Sequence, residues 1–249
     1  MTPKHVICCG MRRSGSTLQY HVARSILAAA QADCRLVKAH RLADEQRKLL
    51  ADDNTRCLYI YRDIRDVIVS ELNLHRLPFT FGNVCGAEIL DDALRTCKEW
   101  MTVPDIYTAR YEEVMADMRS EVSRIAAYLK CHIRPEDIDS IAAEHSIERT
   151  KQNLCGRPDA DNLVLDNKTL LFNRHINSGA SGQYREVMSP LQIKWIETLC
   201  YEWLVARGYP VSIGPLFHRI FRTPVSILYS YLRWWNYHRQ KGEPPATRA

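Results

Sequence analysis

No run of apolar residues in this 249-residue chain is long enough to cross a bilayer, so no membrane-spanning helix is expected. The chain has no C-x-x-C pair and no His/Cys spacing of the kind that holds zinc. Its nine cysteines are an odd, scattered set, with only Cys8 and Cys9 adjacent, so reduced and mostly buried thiols are expected rather than a disulfide framework. No large excess of either charge is present. A net +5 suits an anionic ligand, an acidic glycan or an anionic membrane surface, and is too weak to argue for nucleic acid as partner. There are no internal repeats. No apolar segment precedes the first strand-like run, so neither a signal peptide nor an N-terminal anchor is expected, and the chain reads as cytoplasmic, at most peripheral at a membrane surface.

What is present is an alternation of short apolar runs with helical periodicities. Strands are expected at His5–Cys9, Arg35–Ala39, Arg56–Tyr61 and Asp105–Arg110. Helices are expected at Gly15–Ala30, Ala43–Asp52, Asp63–Leu74, Glu88–Met101 and Val114–Leu129. This order predicts an α/β fold, three-layer α/β/α with a mainly parallel central sheet. The C-terminal half reads as helical, clearest at Pro135–His145 and Pro190–Arg207, the latter capped by Ser189 with Pro190 in the first turn. A polar stretch, Asn153–Tyr184, separates them. One domain over residues 1–240 is expected, with a disordered tail over 241–249.

The segment Cys8-Cys9-Gly10-Met11-Arg12-Arg13-Ser14-Gly15-Ser16-Thr17-Leu18 joins the first strand to the first helix. A strand, a tight loop of small residues and a helix N-terminus bring backbone N–H groups and the positive end of a helix dipole to one point, an anion site. Gly10 and Gly15 have the spacing of a nucleotide-binding P-loop, and Thr17 holds its hydroxyl position, but Ser16 stands where the lysine belongs. Arg12 and Arg13 carry the cation instead. The loop is therefore suited to a phosphate and poorly equipped for magnesium-dependent phosphoryl transfer. By itself it also reads as a Gly/Ser-rich turn that carries two arginines.

Two other strand ends carry chemistry, and in parallel α/β sheets ligands gather at that edge. Leu36-Val37-Lys38-Ala39-His40 places a cation and an imidazole at one rim, and histidine is the side chain suited to taking a proton near neutral pH. Arg62 closes a strand, and Ser70 follows about two helical turns later, so both suit one phosphate. Alone, that stretch reads better as a capped surface helix with local Asp/Arg pairs.

Taken together, these pieces resemble the family of sulfotransferases that use 3′-phosphoadenosine 5′-phosphosulfate (PAPS) and release 3′-phosphoadenosine 5′-phosphate (PAP). Arg13-Ser14-Gly15-Ser16-Thr17 resembles that family's Lys-Ser-Gly-Thr-Thr loop. Arg62 to Ser70 resembles its Arg-x-x-x-Asp-x-x-x-Ser element for the 3′-phosphate. Lys38-Ala39-His40 resembles Lys-Thr-His, whose His is the catalytic base. Arg110-Tyr111-Glu112 is similar to its Tyr-Glu-Asp segment, with the Tyr near adenine, and Gly179-Ala180-Ser181-Gly182-Gln183-Tyr184-Arg185 to its late Gly-x-x-Gly-Asp-Trp-Lys motif. The resemblance runs from about Lys4 to Arg207 and implies the P-loop-like fold. It implies a catalytic set of His40, Lys38 and Arg13, and a cofactor set of Arg12, Arg13, Ser14, Gly15, Ser16, Thr17, Leu18, Arg62, Ser70, Tyr111, Arg174, Ser178, Gly179 and Arg185. Three departures stand out. Arg13 replaces the loop lysine, Leu18 replaces the aromatic that stacks on adenine, and Asn177-Ser178-Gly179 replaces Arg-Lys-Gly, leaving Arg174, His175 or Arg185 to supply that cation.

The implied reaction is transfer of a sulfuryl group from PAPS to a hydroxyl of a small molecule, lipid or glycan, with His40 as general base and no metal. A P-loop kinase and a noncatalytic PAP-binding scaffold of the same fold are the alternatives. The last helical stretch, residues 215–240, is expected to cap at Thr223 with Pro224 in its first turn. Its apolar stripe is Val225, Leu228, Tyr231, Leu232 and Trp235. Packing on its own domain or on a second subunit is preferred there to a membrane surface.

Overall fold

The computed structural model describes residues 2–154, 165–166, 171–172 and 179–240. Along the chain these form β1 (His5–Gly10), α1 (Ser16–Ala29), β2 (Arg35–Ala39), α2 (Asp44–Leu50), β3 (Thr55–Tyr61), α3 (Ile64–Leu74), α4 (Phe81–Cys85), α5 (Ile89–Trp100), β4 (Tyr107–Arg110) and α6 (Tyr111–Ala116). There follow α7 (Met118–Tyr128), α8 (Pro135–Glu144), α9 (Ile147–Leu154), β5 (Leu165–Asp166), β6 (Leu171–Phe172), α10 (Tyr184–Val187), α11 (Pro190–Ala206) and α12 (Pro215–Gln240). They fall into two compact units. Unit 1 holds Met1–Arg62 and Arg95–Gly179, and unit 2 holds Asp63–Leu94 and Ala180–Ala249.

Unit 1 is built on a parallel sheet in the order β2-β1-β3-β4. β1 is central and its residues from Val6 to Gly10 are buried, which is why it reads as an unbroken apolar run. Its two neighbours, β2 and β3, leave in opposite directions in the strand order. The turn after β1 therefore lies at the switch point where such sheets bind ligands. Val22, Ala23, Ile26 and Leu27 of α1 pack with Val6, Cys8 and Leu58 of the sheet, and with Val122, Ile125 and Leu129 on and just beyond α7. Burial pushes the Cys8 and Cys9 thiols far up in pKa, so they stay protonated and serve as packing. All eight cysteines among the described residues are free, and only Cys34 is not fully buried.

Unit 2 is helical. α11 opens with the expected Ser189 cap, which the structure shows to be reciprocal: Ser189 Oγ accepts from Gln192 N at 3.3 Å, and Gln192 Oε1 accepts from Ser189 N at 2.7 Å. Its centre is Arg65, 1% exposed. The guanidinium donates twice to Asp63 (2.9 and 2.7 Å), once to Glu197 (2.6 Å) and once to the Pro210 carbonyl (2.9 Å). Glu197 in turn accepts from Ser212 N and Oγ at 2.8 and 2.6 Å. One buried cation thus joins α3, α11 and the turn that leads to α12.

The structure corrects three expectations. Val114–Leu129 is not one helix: Asp117 (φ −147°) separates α6 from α7 and caps α7 by accepting from Ser120 N at 2.9 Å. α12 begins at Pro215, and Pro224 lies inside it rather than at its start. The expected stripe on α12 also divides, with Val225 and Leu232 partly covered while Leu228, Tyr231 and Trp235 are exposed. Within the polar 153–184 stretch the described residues form β5 and β6, paired antiparallel, and α10. Arg174, His175, Asn177, Ser178 and the 241–249 tail lie outside the described residues.

Candidate active site

The loop between β1 and α1 takes its shape from two close approaches and one buried hydroxyl. A Cβ on Gly10 would sit 2.5 Å from the Ile60 carbonyl oxygen, so only glycine lets the loop leave β1 beside β3. Ser14 is fully buried, its Oγ 2.7 Å from Met11 O and 2.9 Å from Ile60 O. Its hydroxyl proton serves those carbonyls, which makes Ser14 the strut of the loop. Arg13 (φ 64°) and Gly15 (φ 94°) are both left-handed, and backbone of this kind turns successive N–H groups inward. Gly15 is the N-cap of α1. No side chain caps that end and no acidic residue lies in its first turn, so the N–H groups of the first turn are left to an anion.

Tyr111, at the end of β4, supports this arrangement. A Cβ on Gly15 would come 2.7 Å from the Tyr111 ring, and the Arg62 guanidinium lies over the same ring, 4.4 Å from its centroid. The Tyr111 hydroxyl donates to the Gly179 carbonyl at 3.0 Å. Gly179 is itself held to glycine, with φ 71° and Ile147 Cδ1 2.0 Å from where its Cβ would be. Gly15→Ala is therefore expected to cost at least about 2 kcal/mol, from left-handed strain plus the ring contact, read as a lower urea midpoint at unchanged slope.

On the other side of the loop are the residues of β2. Lys38 Nζ donates to Thr17 Oγ1 at 2.5 Å. Burial holds the Lys38 ammonium below its ordinary pKa; Cys8 opposes this and Arg13 adds to it. Two cations near one uncapped helix end form a site for an anion. His40 Nδ1 is 3.2 Å from the Gly10 carbonyl. A carbonyl only accepts, so Nδ1 carries the proton and Nε2 holds the lone pair. The His40 carbonyl accepts from the buried Trp100 Nε1 at 2.8 Å, which fixes the corner after β2.

Gly10 to Thr17, Lys38, His40, Arg62, Tyr111 and Gly179 thus share unit 1. Arg12 is exposed. Leu18 packs on the small cluster of Ile60, Ala109, Tyr111 and Val114. Ser70 and Arg185 belong to unit 2, Ser70 half-buried in α3 and Arg185 exposed, its guanidinium 4.8 Å from the Tyr184 ring centroid. Sequence reasoning missed Asp66. Buried in α3, its carboxylate accepts from Gly182 N at 2.6 Å and Tyr184 N at 3.1 Å, anchoring the late glycine motif by its backbone. The signal was present, since Asp66 is the acidic position of the Arg-x-x-x-Asp-x-x-x-Ser element. Trp100 had no such signal.

Among curated proteins the chain is 24% identical over 204 residues to cytosolic sulfotransferase 10 of Arabidopsis thaliana, 73% of this chain and 60% of that one. It is 23% identical over 206 residues to an amine sulfotransferase of Oryctolagus cuniculus, 74% of this chain and 66% of that one. The match therefore spans under two thirds of these relatives' length. Among solved structures, a mouse sulfotransferase complexed with PAP superposes with a TM-score of 0.60 at 18% identity, covering 81% of this chain and 84% of that one. A retinol dehydratase in complex with androsterone and PAP gives 0.58 at 17%, covering 86% and 83%. These likenesses establish the P-loop-like α/β fold, a parallel central sheet with flanking helices. The family model described as the sulfotransferase domain matches residues 19–207, and this chain belongs to that family.

Proposed function

We propose that this protein is a sulfotransferase that uses PAPS and acts on a hydroxyl of a small molecule, lipid or glycan in the cytoplasm. The observation that carries the reading is the pairing around one loop of Lys38, bonded to Thr17 Oγ1, with His40, bonded through Nδ1 to the Gly10 carbonyl. The residues fit the group. The donor set is backbone N–H, Lys38 and Arg13, which suits a phosphosulfate, and Ser16 stands where a Walker lysine would be. When bound, PAPS supplies an activated sulfuryl group and departs as PAP.

The chain's own residues do the rest. His40 Nε2 takes the acceptor hydroxyl's proton. Arg13, Lys38 and the N–H groups of Gly15, Ser16 and Thr17 meet the negative charge that grows on the departing 5′-phosphate; each such donor typically contributes about 3 kcal/mol. Ser14 keeps the loop in shape, and Arg12 adds charge at its edge. By the family resemblance, Arg62 and Ser70 would hold the 3′-phosphate, with Arg174, Ser178, Gly179 and Arg185 as candidates for the late contacts. Tyr111 and Leu18 would be the residues near adenine, with Tyr111 also carrying the Arg62 guanidinium over its ring. No metal enters this scheme.

Thermal shift is the direct test. PAP without metal is expected to raise the melting midpoint by several degrees at saturation, and labelled PAPS with an acceptor panel should then reveal transfer. Stabilisation by ATP with magnesium and none by PAP would give the site to a kinase. Strong PAP binding with no transfer to any acceptor would give it to a noncatalytic scaffold.

A further inference from the structure

α12 is held to unit 2 mainly by polar contacts and leaves an apolar strip in water. Within unit 2, Tyr229 Oη donates to the Ala87 carbonyl at 3.2 Å and Asn236 Nδ2 to the Gly82 carbonyl at 3.0 Å. Arg233 pairs with Asp91, and His218, 9% exposed, stacks on Tyr201 with ring centroids 4.7 Å apart. Those residues tie α12 down. Leu216, Ile220, Ile227, Tyr231 and Trp234 are spaced four, seven, four and three apart, which puts them within an arc of about 60° on an α-helix. They are 63%, 57%, 65%, 54% and 39% exposed. Phe217, Leu228 and Trp235, also exposed, widen the strip on one side. None of the eight is Lys, Arg, Asp or Glu. A contiguous exposed patch of this kind marks an interaction surface.

Charge identifies what the surface meets. From Pro215 to the last residue there are six Lys/Arg and one Glu, a surplus of five. That equals the whole chain's net charge of +5, so residues 1–214 balance to zero. α12 itself contains no acidic residue. Arg222 and Arg233 pair with Glu202 and with Asp91 and Glu88 of unit 2, and a second copy of α12 would bring no acid to meet the remaining cations. An anionic lipid surface supplies the missing charge, and Trp and Tyr on the outward face suit the headgroup boundary. No helix among the described residues is long and apolar enough to cross a membrane.

We propose that α12 docks the protein flat on an anionic lipid surface, its outward strip sunk into the headgroup boundary and Arg219 near the phosphates. The inference uses no property of the PAPS reading and can fail or stand without it. The test is co-sedimentation of the full chain with phosphatidylcholine vesicles and with vesicles containing about one third phosphatidylglycerol. The expected result is binding to the anionic vesicles only, weakened by salt. Ile220→Glu with Ile227→Glu should reduce it at least about tenfold while the melting midpoint is kept, because both side chains are already in water. Should that pair of changes disturb folding, Ile227→Ser alone gives the same reading with a partial loss of about threefold. No binding of the wild-type chain to anionic vesicles would overturn the proposal. So would a concentration-dependent dimer without vesicle binding, lost in the same variant, which would assign the strip to a second copy.

Discussion

His40→Ala is expected to lower kcat by about 10²–10⁴-fold. The argument rests on where the ring's proton is. Nδ1 faces the Gly10 carbonyl at 3.2 Å, so the lone pair belongs to Nε2, and Ala supplies no acceptor for the substrate's proton. Ala also releases the Gly10 carbonyl, which lies at the first residue of the loop between β1 and α1. His40→Asn separates these effects, because its amide offers a donor to that carbonyl and no base. The Asn variant should bind PAP within about threefold of wild type and still lose turnover, whereas the Ala variant should lose some PAP affinity as well. A wild-type rate in either variant would show that another group takes the proton.

Arg65→Ala is expected to be the most destabilising single change in unit 2, by roughly 3–5 kcal/mol, because it leaves Asp63 and Glu197 buried without their cation. For a chain of this length that is a fall of about 10 °C in melting midpoint. Arg65→Lys should recover only part of it. An ammonium keeps the charge but does not reach both Asp63 oxygens, Glu197 and the Pro210 carbonyl together. Equal midpoints for the Lys variant and wild type would mean that charge alone, and not the fork of donors, holds the network.

What was legible in the sequence followed from local rules. β1 is central and buried, so its residues form an apolar run, and the loop after it had to be small because Gly10 abuts Ile60. Ser189 and Pro190 announced α11 because caps are local chemistry. The failures were of two kinds. Asp117 breaks a stretch whose apolar spacing continues through it, and the cap it makes wins over the periodicity. At Thr223-Pro224 the same local chemistry misled. Proline inside a helix removes one hydrogen bond to the residue four earlier, here Ile220, which is exposed, so the loss of that bond costs less there than in a buried turn. Trp100 acts on the His40 carbonyl, distant in sequence, and no spacing rule points to such a partner, whereas Asp66 was marked by its place in the motif but not its backbone partners.

The dependence of Gly15 on Tyr111 has a consequence for folding. The loop is short and contiguous, yet the ring that bounds it lies ninety-six positions later in the chain and is carried by β4, the sheet's last strand. Closing so long a loop is slow compared with forming α1 or pairing β1 with β2. The left-handed geometry at Gly15 should therefore be among the last features acquired. Recovery of anion binding during refolding would then lag behind recovery of helix signal, and would time the docking of β4 rather than the formation of the loop itself.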